Sequence, residues 1–476
     1  MTILKKIAYL TFGRGVAVIA NIFAFVIAAR FLSLDEYATF RQTFLPYEVL
    51  IPLLELGIPA TLYYLLPRRA DKFNLILETM MIFLMTISLF ILFFVLGGID
   101  VISNRFHNPD LKKTIPWLLL FTTFQLPVNL FMSVLVYEEK TKAIAIYSTI
   151  SSIALSLSII FFAITYQSYY PLVVIRSILP IIGTSILFFF IYRILRSTFN
   201  QETQPIVNMK SILKVSLPLG IASMAGLLSM QLDKVLVSSL TSPDIFAIYI
   251  NGAMEIPLIG IVTGSIAAVI LAEMSDSIKE GDLQRGHHLF SVSATKTALI
   301  LFPVMIFFLY TARDFIILLF SLKYEASAIP FMIYLFLLPI RIVVFGSALI
   351  ALGRNDIILK RSFLELILNI ILSYLLFNVF GYIGVAIATV AVVYFWSVPY
   401  NLHQISIGFN IKIKKLFDYV QLIKIMMISI GLSPIILFVN LIGMPVIMYL
   451  LISFLLYFSS IFYIYKKYNY LIGMNK

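Results

Sequence analysis

The stretch FMIYLFLLPIRIVVFGSALIAL, residues 331–352, is an apolar run long enough to cross a bilayer, and Arg341 stands near its middle. About 20 apolar residues make one helical crossing. A guanidinium at the centre of a crossing costs roughly 2.5 to 3.5 kcal/mol on insertion scales, so it is kept only where it meets protein, water or a ligand. The run therefore predicts a membrane-embedded helix whose surroundings are not lipid alone.

Composition extends this to the whole chain. Its 476 residues are 61% hydrophobic and 12% charged, with a mean hydropathy of +1.01, whereas soluble domains are about 25% charged. Apolar windows place helices at 7–31, 44–66, 74–97, 115–136, 143–165, 171–193, 215–240, 247–273, 293–312, 329–352, 358–379, 384–402, 417–440 and 445–465. The expected fold is an all-α polytopic membrane protein of fourteen spans. The first run follows Lys5 and Lys6 and lacks a small-residue cleavage site, so it reads as a retained helix. With no cysteine, disulfides, cysteine-ligated zinc and thiol catalysis are excluded. The net charge of +12 is scattered over short loops and forms no basic face, which argues against nucleic acid.

Charge sets the expected topology. With the N-terminus in the cytoplasm, only Arg41, Arg105, Lys112, Lys113, Arg313 and Lys323 of the 35 basic residues fall in outside loops. Positive charge concentrates inside, which puts both termini in the cytoplasm.

The halves look duplicated. FLSLDEYATF at 31–40 aligns without a gap with LTSPDIFAIY at 240–249, pairing Asp35 with Asp244. FQLPVNLFMS at 124–133 matches FLLPIRIVVF at 336–345, which puts Arg341 in the place of Asn129, each two residues after a proline. A parallel repeat follows: an N-lobe over 1–193, a linker over 194–214, a C-lobe over 215–402, and two appended helices and a tail over 403–476. Pro127 and Pro339 each remove a helical hydrogen bond and are expected to kink their spans, either as cavity walls or for packing alone.

Polar residues inside spans are the candidate site. On the first helix Arg14, Ala17, Asn21, Ala24 and Ala28 share a small, polar face. It suits a cavity wall, or close helix packing with Arg14 reaching the headgroups. The second helix carries Glu48, Pro52, Glu55 and Pro59 on one stripe, and two carboxylates there either neutralise arginines or carry a coupling proton or sodium ion. Asp233 continues a face of Ser216, Gly220, Ser223, Gly226 and Met230, while its neighbour Lys234 points away from it and snorkels outward. Further candidates are Gln125, Arg176, Asn251 and Glu255; Glu365 and Asn369 serve equally well as interhelical glue. His287 and His288 read as a solvated pair, not a metal site. Neither a Walker sequence nor a Rossmann glycine pattern is present, so no nucleotide or other cofactor is expected.

TFGRGVAVIANIFAFVIAARFLSLDEYATFRQTF near the N-terminus, the following ELGIPATLYYLLPR, and DKVLVSSLTSPDIFAIY in the second half together resemble the polysaccharide-export flippases of the multidrug/oligosaccharidyl-lipid/polysaccharide superfamily, of the O-antigen flippase type. The resemblance implies a protein of the bacterial inner membrane. It would move undecaprenyl-diphosphate-linked oligosaccharide from the inner to the outer leaflet by alternating access, among membrane lipids and alongside polysaccharide polymerase machinery. Related lipid II flippases hold the diphosphate with cavity arginines. Arg30 matches the alanine-arginine pair that precedes the first outside loop, and of the arginines usual deeper in that helix only Arg14 is present. Arg14 and Arg341 are therefore the expected diphosphate contacts, arginine offering a planar fork to phosphate oxygens. The rival for Arg341 is a structural ion pair with Glu48, Glu55 or Asp233. Two other functions compete: a proton- or sodium-coupled multidrug exporter of the same fold, and a polymerase or ligase joining lipid-linked glycans. The second would need a larger outside loop than 98–114 or 313–328.

Overall fold

The structure, a computed structural model, describes residues 3–68, 72–196 and 209–468; the side chains at 3–14, 219, 222, 223, 225, 257, 258, 261 and 355 are outside the description. All regular structure among these residues is helical. Packing divides the chain into two units, Met1–Ala247 and Ile248–Lys476.

The first unit holds α1 (Ile3–Phe31), α2 (Leu34–Glu55), α3 (Ile58–Leu65), α4 (Lys72–Phe93), α5 (Ile99–Arg105), α6 (Leu111–Tyr137), α7 (Thr141–Tyr166), α8 (Tyr169–Leu195), α9 (Met209–Leu240) and the start of α10 (Pro243–Gly252). Helix α2 begins where Ser33 Oγ accepts the Glu36 amide at 3.2 Å, and Asp35 and Glu36 suit the positive end of the helix dipole. It ends at two consecutive left-handed residues, Leu56 (φ 48°) and Gly57 (φ 70°). A Cβ at Gly57 would lie 2.5 Å from the Gly220 nitrogen and 2.6 Å from the Ser216 carbonyl. Glycine at both positions is what lets α9 cross this break at backbone contact.

Helix α1 has α7 as its main neighbour and buries Ala24, Ala28 and Ala29, while Phe23 is 61% exposed. Its small residues thus serve close packing here. Helix α6 runs unbroken through Pro127, and Thr184 Oγ1 donates to the Phe124 carbonyl in the turn that the proline disturbs.

In the second unit follow α11 (Pro257–Lys279), α12 (Leu283–Phe320), α13 (Ala328–Leu335), α14 (Leu338–Arg341), α15 (Phe345–Ala351), α16 (Asn355–Phe380), α17 (Tyr382–Val392), α18 (Val398–Phe409), α19 (Tyr419–Gly431), α20 (Pro434–Leu441) and α21 (Val446–Lys467). The 38 residues of α12 extend about 57 Å, and α11, α13, α19 and α21 pack along it. The last expected span docks there through Phe307, whose ring meets Phe454, Tyr457 and Phe458 of α21, and the Tyr457 hydroxyl donates to the Ser429 carbonyl of α19 at 2.9 Å.

Eleven segments among the described residues are long and apolar enough to cross a membrane. The other three expected spans correspond to α1, α9 and α11, of 29, 32 and 23 residues. Four expected single helices are broken: 44–66 at Leu56–Gly57, 247–273 at Ala253–Ile256, 329–352 on both sides of α14, and 417–440 at Leu432–Ser433. Pro339 explains one break, since it withholds the N–H that the Leu335 carbonyl would accept, and α13 ends at Leu335.

Backbone bonds coincide in the register of the expected repeat. Leu32 N bonds Ala28 O and Thr241 N bonds Val237 O, both at 3.0 Å; Tyr37 N bonds Ser33 O and Phe246 N bonds Ser242 O, again at 3.0 Å. These pairs coincide in the register that aligns Asp35 with Asp244. Tyr37, Ala38, Phe246 and Ala247 are all fully buried.

Candidate functional site

Charged residues of the spans pair within each unit. In the first, Arg176 on α8 lies 3.3 Å from Glu48 on α2, with side chains 12% and 24% exposed. Its guanidinium sits 4.0 Å from the Phe44 ring centroid and 5.7 Å from those of Phe25, Phe40 and Phe121. A cation desolvated against aromatic faces gains about 2 kcal/mol or more from the ring quadrupole. Nη1 of Arg176 is buried with no hydrogen-bond partner. Glu48 therefore neutralises an arginine, one of the two roles open to it from sequence.

Two turns further along α2, Glu55 is the last helical residue before the break at Leu56. Its Oε1 accepts the Asn129 amide from α6 at 2.7 Å. Asn129 lies one turn beyond half-buried Gln125 on the same helix. The two carboxylates of the α2 stripe thus engage different helices, Glu48 reaching α8 and Glu55 reaching α6.

In the second unit Arg341 closes the short α14, and its Nη2 donates to Glu255 Oε1, within the irregular link between α10 and α11. The partner is Glu255, and none of Glu48, Glu55 and Asp233, the carboxylates of the rival ion pair, takes that place, which corrects that rival. The physical reason is local: α14 and the link at 253–256 belong to one packed unit. This pair is open, with side chains 43% and 32% exposed. Both residues stand beside broken backbone, which within a span is tolerated only where it is buried in protein or lines water.

Asp233 is 1% exposed, and Lys234 Nζ lies 3.3 Å from it and 3.1 Å from the Met230 carbonyl. The expectation that the two do not pair is corrected. The long lysine stem folds back along the helix and brings the ammonium to its neighbour. Lys234 is accordingly only 16% exposed and does not reach outward.

Asn21 is half-buried on α1 and Arg30 is exposed at that helix's end; the Arg14 side chain lies outside the described residues. Glu365 accepts from Ser397 Oγ at 2.7 Å and faces Arg361 at 3.5 Å, the interhelical role foreseen for it. Asn369 accepts from Ser373 at 2.9 Å, within α16. His287 Nε2 is 3.1 Å from the Leu416 carbonyl. Among the described residues no group of three potential metal ligands occurs.

Sequence reasoning missed the aromatic cage. Phe40, Phe44 and Glu48 recur every four residues on α2, so the acidic stripe continued one turn further back would have shown rings waiting for a cation. It also missed Glu78, which is 2% exposed on α4.

The profile of a family described as polysaccharide biosynthesis protein matches residues 3–276. No curated protein sequence matches the chain. Among solved structures, the lipid II flippase MurJ in an inward closed conformation aligns with a TM-score of 0.74 at 19% identity, over 95% of this chain and 98% of that one. A multidrug resistance MATE family transporter of the MOP superfamily, inward-facing, aligns with a TM-score of 0.60 at 13% identity, over 82% and 95%. A Vibrio cholerae MATE transporter in its bent form gives 0.51 at 14% identity, over 85% and 98%. The fold is that of the multidrug/oligosaccharidyl-lipid/polysaccharide superfamily, as the resemblance in sequence implied, and these neighbours are transporters and flippases.

Proposed function

The chain belongs to the polysaccharide biosynthesis protein family, and from that premise we propose that it is a lipid-linked oligosaccharide flippase. It carries undecaprenyl-diphosphate-linked repeat units from the inner to the outer leaflet of the bacterial inner membrane by alternating access, with both termini cytoplasmic. The product feeds O-antigen, capsule or exopolysaccharide synthesis and its polymerase.

The observation that carries this reading is the open pair Arg341–Glu255. A guanidinium this exposed within a span cannot face lipid at tolerable cost, so it faces water and whatever enters that water. Glu255 holds Arg341 while the site is empty, and an incoming diphosphate replaces one anionic partner with another that accepts two parallel N–H bonds. Arg14, Asn21, Arg30, Gln125, Asn129 and Arg176 are the other proposed substrate contacts. Of these, Arg176 meets substrate only through exchange with Glu48. Glu48, Glu55, Asp233 and Glu255 are the groups through which a proton or sodium gradient would drive the cycle.

The MATE neighbours favour one alternative, a proton- or sodium-coupled multidrug exporter. Mass spectrometry of lipid-linked glycans in cells lacking the protein separates the two. For a flippase, complete repeat units accumulate on their carrier, and wild type but not Arg341→Ala restores surface glycan. Single units still reaching the surface would place the protein after flipping, and unchanged glycans would leave the exporter.

A further inference from the structure

We propose that the membrane face of α4, α6 and α8 is a binding site for one anionic diacyl phospholipid of the surrounding bilayer. The site is independent of the flippase reading. A groove of about 260 Å³ lies there, walled by Phe73, Met80 and Leu84 of α4, Phe131 of α6, and Phe188 and Tyr192 of α8. Its floor is packed protein, with Phe131 fully buried and Ile191 2% exposed, while Leu84, Met81 and Phe188 are about half exposed along its rim.

Length selects an acyl chain. From Phe73 to Leu84 the groove follows α4 for about 16 Å, which is about half of a 30 Å hydrocarbon core and so one leaflet deep. The wall is apolar throughout except for the tyrosine hydroxyl at one end, and its two methionines adapt to an irregular chain.

Charge selects the headgroup. At the tyrosine end the Phe73 and Tyr192 rings meet at 5.9 Å, and the residues flanking them are Lys72 and Arg193. Arg193 is exposed and so is Arg196, one turn on. Lys72 is held by Glu138 at 2.9 Å and stands 4.9 Å from the Tyr137 ring, which leaves, among the described residues flanking the two rings, Arg193 and Arg196 as the basic side chains open to a headgroup. No carboxylate adjoins them in sequence. A basic mouth above an apolar inter-helix groove is the arrangement that holds anionic lipid headgroups, each arginine contributing to the attraction.

The test uses the full chain purified in detergent and titrated with phosphatidylglycerol or phosphatidylcholine of equal chain length, with retained lipid counted by native mass spectrometry. Phosphatidylglycerol is expected to be retained in preference. Arg193→Ala and Arg196→Ala should each weaken its retention about fivefold, and Arg193→Lys should preserve it. Met81→Trp, which fills the groove, should lower retention of phosphatidylglycerol while leaving the thermal transition of the protein in place. Equal retention of the two lipids, or arginine variants that retain phosphatidylglycerol like the wild type, would overturn the site. Displacement of phosphatidylglycerol by an equimolar polyprenyl phosphate, lost in the same variants, would overturn the assigned occupant.

Discussion

Asn129 donates its side-chain amide to Glu55 across 2.7 Å, and Arg341, the residue that stands in its place in the second half, donates to Glu255. Each donor follows a proline by two residues, and each acceptor comes from the second span of its own half. The two carboxylates are not at equivalent positions in the register that pairs Asp35 with Asp244, so the donors correspond and the acceptors do not. In the first half the bond joins a neutral amide to a carboxyl group; in the second it joins a guanidinium to a carboxylate, with side chains 43% and 32% exposed.

That openness separates stability from function. For Glu255→Gln we expect a loss below about 1 kcal/mol, as for exposed ion pairs, read by thermal unfolding of the purified chain. The same variant should lower glycan export at least tenfold, because Arg341 then lacks the anion it exchanges. Arg341→Lys should keep part of the export that Arg341→Ala loses. Equal export by the Lys and Ala variants would remove the phosphate role.

The pair in the aromatic cage should behave in the opposite way. Arg176→Ala strands Glu48 among rings, and breaking a buried pair costs about 3–5 kcal/mol. Replacing both partners, as Arg176→Met with Glu48→Leu, should recover most of that loss, since apolar side chains suit the cage. A double-mutant cycle on thermal stability checks this; a double variant as unstable as Arg176→Ala alone would show that the cage itself depends on the charge.

At the crossing of α9 over the α2 break, Gly57→Ala puts a methyl group against backbone at 2.5 Å and at a positive φ. Overpacking of this kind costs about 1–3 kcal/mol. Gly226→Ala on the same α9 has open space around it and should be neutral or stabilise by up to about 1 kcal/mol. Comparing the two transition temperatures tests whether the contact or the glycine content matters.

Gln42 is fully buried, accepts Asn108 Nδ2 at 2.7 Å and donates to Ser238 Oγ at 2.9 Å. It thereby links α2, the segment before α6, and the end of α9. Gln42→Ala leaves Asn108 and Ser238 each short of a partner and should cost about 1–3 kcal/mol. Hydrogen exchange should then rise at Asn108–Asp110 before it rises elsewhere in the first unit.

The sequence by itself determined that this chain is a helical membrane protein, because hydropathy over a 20-residue window is a property of each segment alone. One register was legible as well: Ser33 with Ser242 and Tyr37-Ala38 with Phe246-Ala247 align, and their backbone bonds coincide. The residues expensive to bury were legible too, since a charge in an apolar run stands out without any partner. Which of these residues meet is set by packing. Glu48 and Arg176 are far apart in the chain and come together because α2 packs on α8. Arg341 finds Glu255 because both lie where helices break, and a break such as the one Pro339 makes by withholding a backbone bond is not registered by hydropathy. Periodicity orders side chains around one helix axis; the direction in which that axis turns its charged stripe is set by the neighbours it packs against.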